Sequence, residues 1–434
     1  MDSTGTHHGP WGHGNTSDSE PNFGSTKLAA AIGCAILILV VVAVILFSAV
    51  PAQGQTEKVL YNFGGGSDGG FPYSRPTFDG AGNLYGTTFG GGVGPNGTVF
   101  ELSPNGSGGW NETVLYSFTG GADGAHPSCA YVIFDSAGNL YGTASGGGSN
   151  GMGVVFELSP GGTGWTETVL HNFTGWPDTD TPVNGLIMDS AGNLYGAAVG
   201  GGGSVFELSP SNGGWTEKVI YEAKSNNYGM SGLTMDAAGN IFGVFGTYLE
   251  SNSTLFELSP DPYDGGWNST LVHTFTGAPT DGSGARSAPV IDPAGNLYGT
   301  TFWGGAKNYG TVYKLSPITT GKKKGEWKEK ILYTFNAGKA GTGPNAPFAG
   351  LVLDGNGNLY GTTSGGGKRG AGAVFEIVAP VAKGSYKEKV LWSFNGTDGT
   401  DPLSSLILDS EGNLYGATFY GGSGGYGVVY ELTP

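Results

Sequence analysis

The sequence is poor in cysteine, in charge and above all in basic residues. Two cysteines in 434 residues exclude a disulfide scaffold and a cysteine-rich zinc site. Only 12% of the residues are charged, and 19 bases stand against 35 acids for a formal balance of -16. A nucleic-acid partner is therefore not expected, because binding by counterion release needs a basic face and this surface repels phosphate. Histidine is scarce as well. Of six, three fall at His7, His8 and His13, and the remainder show no metal-ligand spacing. What abounds is glycine, at 85 residues. With 12% aromatic and 38% hydrophobic residues the chain has enough apolar material for a packed core, so the glycines punctuate structure and do not mark a flexible tract.

The N-terminus divides into three pieces. Residues 1–27 are polar and without periodicity, and read as a disordered tail. Residues 28–50 are 23 uncharged, mostly apolar residues, long enough to span a hydrocarbon layer as a helix and longer than a secretory h-region. They are expected to form a transmembrane helix or signal anchor. The competing expectation is cleavage after Ala52, which would release a secreted or periplasmic chain beginning at Gln53. Residues 51–56 are a linker. Either way, everything that follows lies outside the cytoplasmic membrane.

Residues 57–434 carry an internal repeat, which decides the fold. An Asn-Leu-Tyr-Gly tetrad, preceded by an acid and a short turn, begins at Asn83, Asn139, Asn193, Asn240, Asn296, Asn358 and Asn413, the fourth copy reading Asn-Ile-Phe-Gly. Each copy holds four runs with strand character. In the seventh, Leu406–Asp409 and Leu414–Thr418 flank a turn, and Gly427–Leu432 follows a Gly-rich loop. The fourth run contains Trp in five copies, as in Trp110–Phe118. Turns this short leave no room for a crossover helix, so each copy is an antiparallel meander. Seven such sheets bury one another's faces by packing radially. The expected fold is thus all-β: a seven-bladed β-propeller of four-stranded antiparallel blades. The isolated strand Glu57–Phe63 is expected to close it, supplying the fourth strand of the last blade. The hairpin glycines, such as Gly82 and Gly138, are expected to need positive φ, a geometry that the following Asn tolerates nearly as well. The second-strand glycines, such as Gly86 and Gly142, are expected to allow close approach between blades while the neighbouring Tyr fills the space.

The phrase running from the acid through Gly-Asn-Leu-Tyr-Gly-Thr-Thr to Gly-Thr-Val-Phe-Glu-Leu resembles the GloVer tandem repeat of the bacterial choice-of-anchor surface proteins, over residues 57–434. The resemblance implies an exported propeller with an anchor at one end and no catalytic chemistry in the repeat itself. No C-terminal sorting tail follows the last copy, so the anchor is expected at the N-terminus.

For chemistry, the informative face is the one bearing the loops that enter each blade and the loops between its second and third strands. These vary from blade to blade, whereas the turns between strands one and two are near-identical. Variation on a rigid ring is how a scaffold acquires specificity. Trp176, Tyr228, Trp303 and Tyr309 are the stacking candidates for a ligand. The entering loops also hold Asp123, Asp178, Asp281 and Asp398, carboxylates that could ring the channel mouth, although Asp-Gly beside Pro equally makes tight turns. No catalytic residue, metal ligand or cofactor is assigned. His126, Tyr131 and Arg286 are the poor best candidates for an enzyme. Third-strand glutamates such as Glu101 and Glu157 recur in six blades and read as a strand-face feature. The expected function is a membrane-anchored binding or interaction scaffold, monomeric, with a glycan or protein ligand. The alternatives are a propeller lyase or hydrolase acting on a polysaccharide or small substrate, and a purely structural envelope protein.

Overall fold

The computed structural model describes residues 55–434 apart from residues 163, 224–228, 230, 247–252 and 339–340. The chain divides into two compact units, Met1–Gly54 and Gln55–Pro434. The expected tail, membrane segment and most of the linker lie outside the described residues. Among the described residues no helix is long and apolar enough to cross a membrane.

Gln55–Pro434 is all-β, with seven blades, each a mixed-length antiparallel sheet in which consecutive strands are neighbours. In the first blade the inner strand is in two pieces, Gly70–Pro72 and Thr77–Phe78, followed by Leu84–Gly90, Thr98–Pro104 and Trp110–Ser117. In the last, Ile407–Leu408, Leu414–Thr418 and Val428–Thr433 are joined by the N-terminal strand Thr56–Asn62, which runs antiparallel to Val428–Thr433 with Glu57 opposite Leu432 and Asn62 opposite Val428. Burial follows position. The second strands, such as Leu140–Ala144, are buried at every residue because a neighbouring blade covers each face, which is why they read as continuous apolar and small residues without alternation. Fourth strands alternate, as in Trp110–Ser117, because they form the wet rim.

The core lies in the seams between blades. Each seam holds an aromatic pair made by the end of one blade's fourth strand and the third strand of the next. The pairs are Phe63–Phe100, Phe118–Phe156, Phe173–Phe206, Tyr221–Phe256, Phe275–Tyr313, Phe335–Phe375 and Phe394–Tyr430, with ring centroids 4.8–5.3 Å apart. Most lie edge to face, the arrangement that ring quadrupoles favour. The 7/1 seam is built like the others: Leu60 and Phe63 pack with Phe100, Leu102, Ile407 and Val429.

The hairpin glycines take the positive φ expected of them, Gly82 at +88 and Gly138 at +88, and the Asn that follows has no need of it. Asn83 instead anchors the turn: its backbone N–H and its Nδ2 donate to Asp79 at 2.8 and 2.7 Å, joined by Ala81 N–H at 2.8 Å. The same Asp–Asn clasp recurs at Asp135, Asp189, Asp236, Asp292, Asp354 and Asp409. In the second strand, a Cβ on Gly142 would come 2.6 Å from Phe156 Cζ. That glycine makes room for the third-strand aromatic of its own blade. The adjacent Tyr141 turns the other way, its OH donating to Asp135. Gly142→Ala is therefore expected to destabilise the propeller by about 1–3 kcal/mol through overpacking, with Phe156→Leu in the same chain recovering part of the loss. Denaturant titration of the parent, the single and the double variant checks this, and an unchanged midpoint for Gly142→Ala would contradict it.

Candidate functional site

The inner strands break midway, and that break shapes the central channel. Where the strand leaves its ladder, the second-strand N–H groups would lack acceptors, and serine hydroxyls replace them. Val244 N–H donates to Ser231 Oγ at 3.0 Å, Ala417 N–H to Ser404 Oγ at 2.8 Å, and Thr87 N–H to Ser74 Oγ at 3.4 Å. A buried amide left unpaired would cost about 1–3 kcal/mol, so the serines are what the departure requires. The released segments from all seven blades surround a cavity of about 440 Å³ whose wall includes Tyr73, Arg75, Cys129, Tyr131, Arg286 and Phe348.

The wall carries two arginines, each held against aromatic rings. The Arg286 guanidinium lies 4.0 Å from the Phe302 ring centroid, 4.8 Å from Trp303 and 5.3 Å from Phe348. Arg75 lies 4.0 Å over Tyr131. Such contacts fix a cation's direction, and the planar fork of a guanidinium matches a carboxylate or phosphate. The Cys129 thiol is a poor nucleophile, since burial pushes it up to about 12 and only the thiolate reacts. His126 stacks on Phe89 at 4.8 Å with Nδ1 3.0 Å from the Phe89 carbonyl.

On the loop-bearing face, Trp176 is 83% exposed in the loop entering the third blade, and Tyr309 is 39% exposed between the second and third strands of the fifth. Trp303 stands beside Arg286 at the channel. Tyr228 lies outside the described residues. The Gly-rich loops are tied to the entering loops by backbone bonds, Gly92 N–H to Gly66 O and Gly148 N–H to Gly121 O, both 2.8 Å. The basic residues of the fifth and sixth blades do not form one patch: Lys307 and Lys368 sit in second-to-third-strand loops, whereas Lys322–Lys324 sit in a third-to-fourth-strand turn on the opposite face.

The entering-loop carboxylates do not ring the channel mouth. Each folds back on the outer strand it follows and lies in a blade seam. Every fourth strand has a register shift at the same place, as between Val114 and Tyr116 or Val169 and His171, and a bulge of this kind re-aims the next side chain. That side chain is Tyr61, Tyr116, His171, Tyr221, His273, Tyr333 or Trp392. Tyr116 OH donates to Asp123 at 3.0 Å, Trp392 Nε1–H donates to Asp398 at 3.1 Å, and His171 Nε2 lies 3.1 Å from Asp178. Across the seam stands a fourth-strand Glu of the next blade: Glu112 facing Asp68, Glu167 facing Asp123, Glu217 facing Asp178, Glu329 facing Asp281 and Glu57 facing Asp398. Burial first, and then the facing aspartate, push Glu57, Glu112 and Glu167 up to about 7. Burial raises the Asp281 carboxyl, but the nearby His273 imidazole and the bonds from Thr276 outweigh it and hold it down to about 2. His273 moves up because the Asp281 and Glu329 carboxylates outweigh its burial.

The seam glutamates are absent from the sequence-level candidates. Their signal is a Glu two residues after the Trp position in six of seven copies, together with a Tyr or His followed seven residues later by Asp, as at Tyr61/Asp68, Tyr116/Asp123 and His171/Asp178.

Blades, seams and channel together define the class as a seven-bladed β-propeller built of tandem repeats. The model of the Gloeobacter/Verrucomicrobia repeat matches residues 107–284 and 246–434, more than half of the chain, and the chain belongs to that family. No curated protein matches it. Among solved structures it is similar to a Bacteroides fragilis protein provisionally named a 6-phosphogluconolactonase, at 15% identity and a TM-score of 0.48, over 85% of this chain and 89% of that one. A Bacteroides uniformis protein of the same provisional name matches at 15% identity and 0.47, over 74% and 84%. The periplasmic gluconolactonase of Pseudomonas aeruginosa matches at 14% identity and 0.44, over 74% and 85%. At these scores nothing of their activity carries over.

Proposed function

We propose that this chain is a membrane-anchored, extracytoplasmic β-propeller that serves as a binding scaffold, its ring held shut by the N-terminal strand. Its ligand is a small anion with a flat body, taken into the central channel from the loop-bearing face. The observation that carries this reading is Arg286 set among Phe302, Trp303 and Phe348 on the channel wall. In a chain whose balance is -16, a guanidinium set by three rings on a cavity wall is suited to bidentate recognition of a carboxylate. Arg75 on Tyr131 adds a second positive group to the same wall. Trp176 and Tyr309 extend the stacking surface outward. A carboxylate-bearing sugar, as found at the end or in the repeat of an acidic glycan, matches both the charge and the flat apolar face.

Binding of glucuronate and of glucose to the full chain in detergent tests this. Glucuronate is expected to bind and glucose to bind far more weakly. Arg286→Gln should weaken glucuronate binding about tenfold or more, the worth of a charged hydrogen-bond pair, and Trp303→Ala should weaken both sugars. Equal affinity for both sugars, or an Arg286→Gln variant that binds like the parent, would overturn the channel assignment. The anchor rests on the 23 uncharged residues at 28–50. The expressed chain should stay with membranes through a carbonate wash, whereas an N-terminus found at Gln53 would establish cleavage instead.

A further inference from the structure

Five of the seven bulged fourth-strand positions hold Tyr or Trp; the other two hold His171 and His273. These two differ chemically from the rest. At the other bulges a tyrosine or indole donates its hydrogen to a carboxylate, as Tyr116 does to Asp123, Trp392 to Asp398 and Tyr333 to Glu388, whereas an imidazole nitrogen offers a lone pair to a metal ion. In each case one His and two carboxylates, drawn from three separate stretches of chain, put their ligand atoms within 4.8 Å of one another: His171, Asp178 and Glu217 in the 2/3 seam, and His273, Asp281 and Glu329 in the 4/5 seam.

The 4/5 seam gives the clearer geometry. His273 Nε2 is 3.5 Å from Asp281 Oδ2 and 3.5 Å from Glu329 Oε1. That is long for a hydrogen bond. It is close to the edge of a coordination tetrahedron, roughly 3.4 Å when the bonds to the ion are about 2.0–2.1 Å. Both His273 Nε2 and Glu329 Oε1 are shielded from solvent and have no hydrogen-bond partner; the Glu oxygen is equally unpartnered at Glu217 and in the seams of Glu57, Glu112, Glu167 and Glu388, so the imidazole is what sets these two seams apart. A buried acceptor without a donor is costly, and a cation among the three groups would satisfy them together. Asp281 is already oriented by Thr276 N–H at 2.7 Å and Thr276 Oγ1 at 2.9 Å, and Asp178 by Thr174 N–H at 2.9 Å, the outer support that metal-binding carboxylates require.

We propose that the 2/3 and 4/5 seams each bind one divalent first-row transition-metal ion, of the zinc type, through His171, Asp178 and Glu217 and through His273, Asp281 and Glu329. Two carboxylates neutralise the ion, the imidazole selects it over calcium, and three protein donors leave a fourth position for water. The sites clip neighbouring blades together, since each draws its Glu from the blade following the one that supplies its His.

The test uses the full chain in detergent, with zinc as the probe and calcium as the control, followed by bound-metal analysis after equilibrium dialysis. His171→Tyr and His273→Tyr install the residue that Tyr61, Tyr116 and Tyr333 already supply at equivalent bulges, so folding is expected to be preserved. Each single change should lower bound zinc by about one ion per chain, and the double variant by about two. Zinc should also raise the melting temperature of the parent and leave that of the double variant unmoved. Glu329→Gln, nearly isosteric, should remove one ion without touching a histidine, and cobalt in place of zinc should give the visible absorption of a low-symmetry nitrogen–oxygen site in the parent only. Equal zinc in parent and double variant would place the metal elsewhere, His7, His8 and His13 being the obvious alternative, and would overturn the proposal. So would parental chain that retains no zinc.

Discussion

Phe63→Ala is expected to cost the propeller as much as Phe118→Ala, about 3–5 kcal/mol each, the usual cost of emptying a buried aromatic site. Phe63 is 0% exposed and Phe118 1%, and each pairs edge to face with the third-strand Phe of the next blade, Phe100 at 5.1 Å and Phe156 at 5.2 Å. In sequence the two could not be placed more differently, Phe63 soon after the apolar run at 28–50 and Phe118 between two complete repeats. If the N-terminal strand holds the ring shut, the positions are equivalent. If that strand is a dispensable extension, only the second substitution will matter. Denaturant midpoints for the two variants decide between these outcomes, and a Phe63→Ala chain as stable as the parent would sink the closure reading.

Deleting residues 57–63 is the stronger form of the same experiment. It removes the ladder to Val428–Thr433 and takes Leu60 and Phe63 out of the 7/1 seam. It also bares an edge strand able to pair with another molecule. The expected result is loss of soluble monomer or a large fall in melting temperature. An unchanged melt would be incompatible with a ring that depends on this strand.

The repeat made the architecture legible because each blade is a local meander, and the residues that define a strand sit next to one another in the chain. Leu140-Tyr141-Gly142-Thr143-Ala144 announces a strand buried on both faces with no reference to anything distant. The seams were not legible in the same way. A seam joins residues roughly a repeat apart, such as His273 and Glu329, and no local pattern says which fourth-strand side chain a bulge will turn inward. The aspartates were found for a sound reason, their recurrence in the entering loops, and assigned to the wrong end of those loops. Asp123 lies four residues after Thr119, which donates both its N–H and its hydroxyl to it, so it belongs to the start of the loop and to the rim. The channel wall was legible only in part. In sequence Arg286 is only a poor candidate for catalysis, and the rings that direct it come from Phe302, Trp303 and Phe348, on two blades. The exposed Trp176 and Tyr309 were findable because loop aromatics are conspicuous wherever they point.

The seams also set how stability should depend on pH, and two groups of carboxylates work in opposite directions. In the hairpins, burial raises Asp79, Asp135 and Asp189, but bonds from the following Asn, Ala and Tyr outweigh it and hold these carboxyls below their ordinary value. Asp292, Asp354 and Asp409 behave alike. A depressed folded-state value means that the clasp contributes fully above the unfolded value of about 3.9, and that the contribution is lost as pH falls through the folded value. In the seams Glu57, Glu112 and Glu167 are pushed up to about 7 by burial and by Asp398, Asp68 and Asp123. A raised folded-state value has the reverse sign: the contribution is present below the unfolded value of about 4.3 and is lost as pH rises through about 7. The two limbs meet between about pH 4 and 4.5, where the melting temperature should peak. Net charge strengthens the alkaline limb, since an acidic chain with pI about 4.6 repels itself increasingly above that point. The seam contribution can be separated from net charge by Glu112→Gln combined with Glu167→Gln. Each variant side chain stays neutral at every pH and still faces Asp68 or Asp123, so the pair should match the parent near pH 5 and exceed it at pH 8, flattening the fall between. Tyr61 and Tyr116, the other titratable groups facing these seams, are raised further above their ordinary value and remain protonated throughout. The same alkaline gain from two exposed changes, Glu222→Gln with Glu411→Gln, would assign the effect to net charge alone, whereas a gain confined to the seam pair assigns it to carboxyl pairs buried between blades.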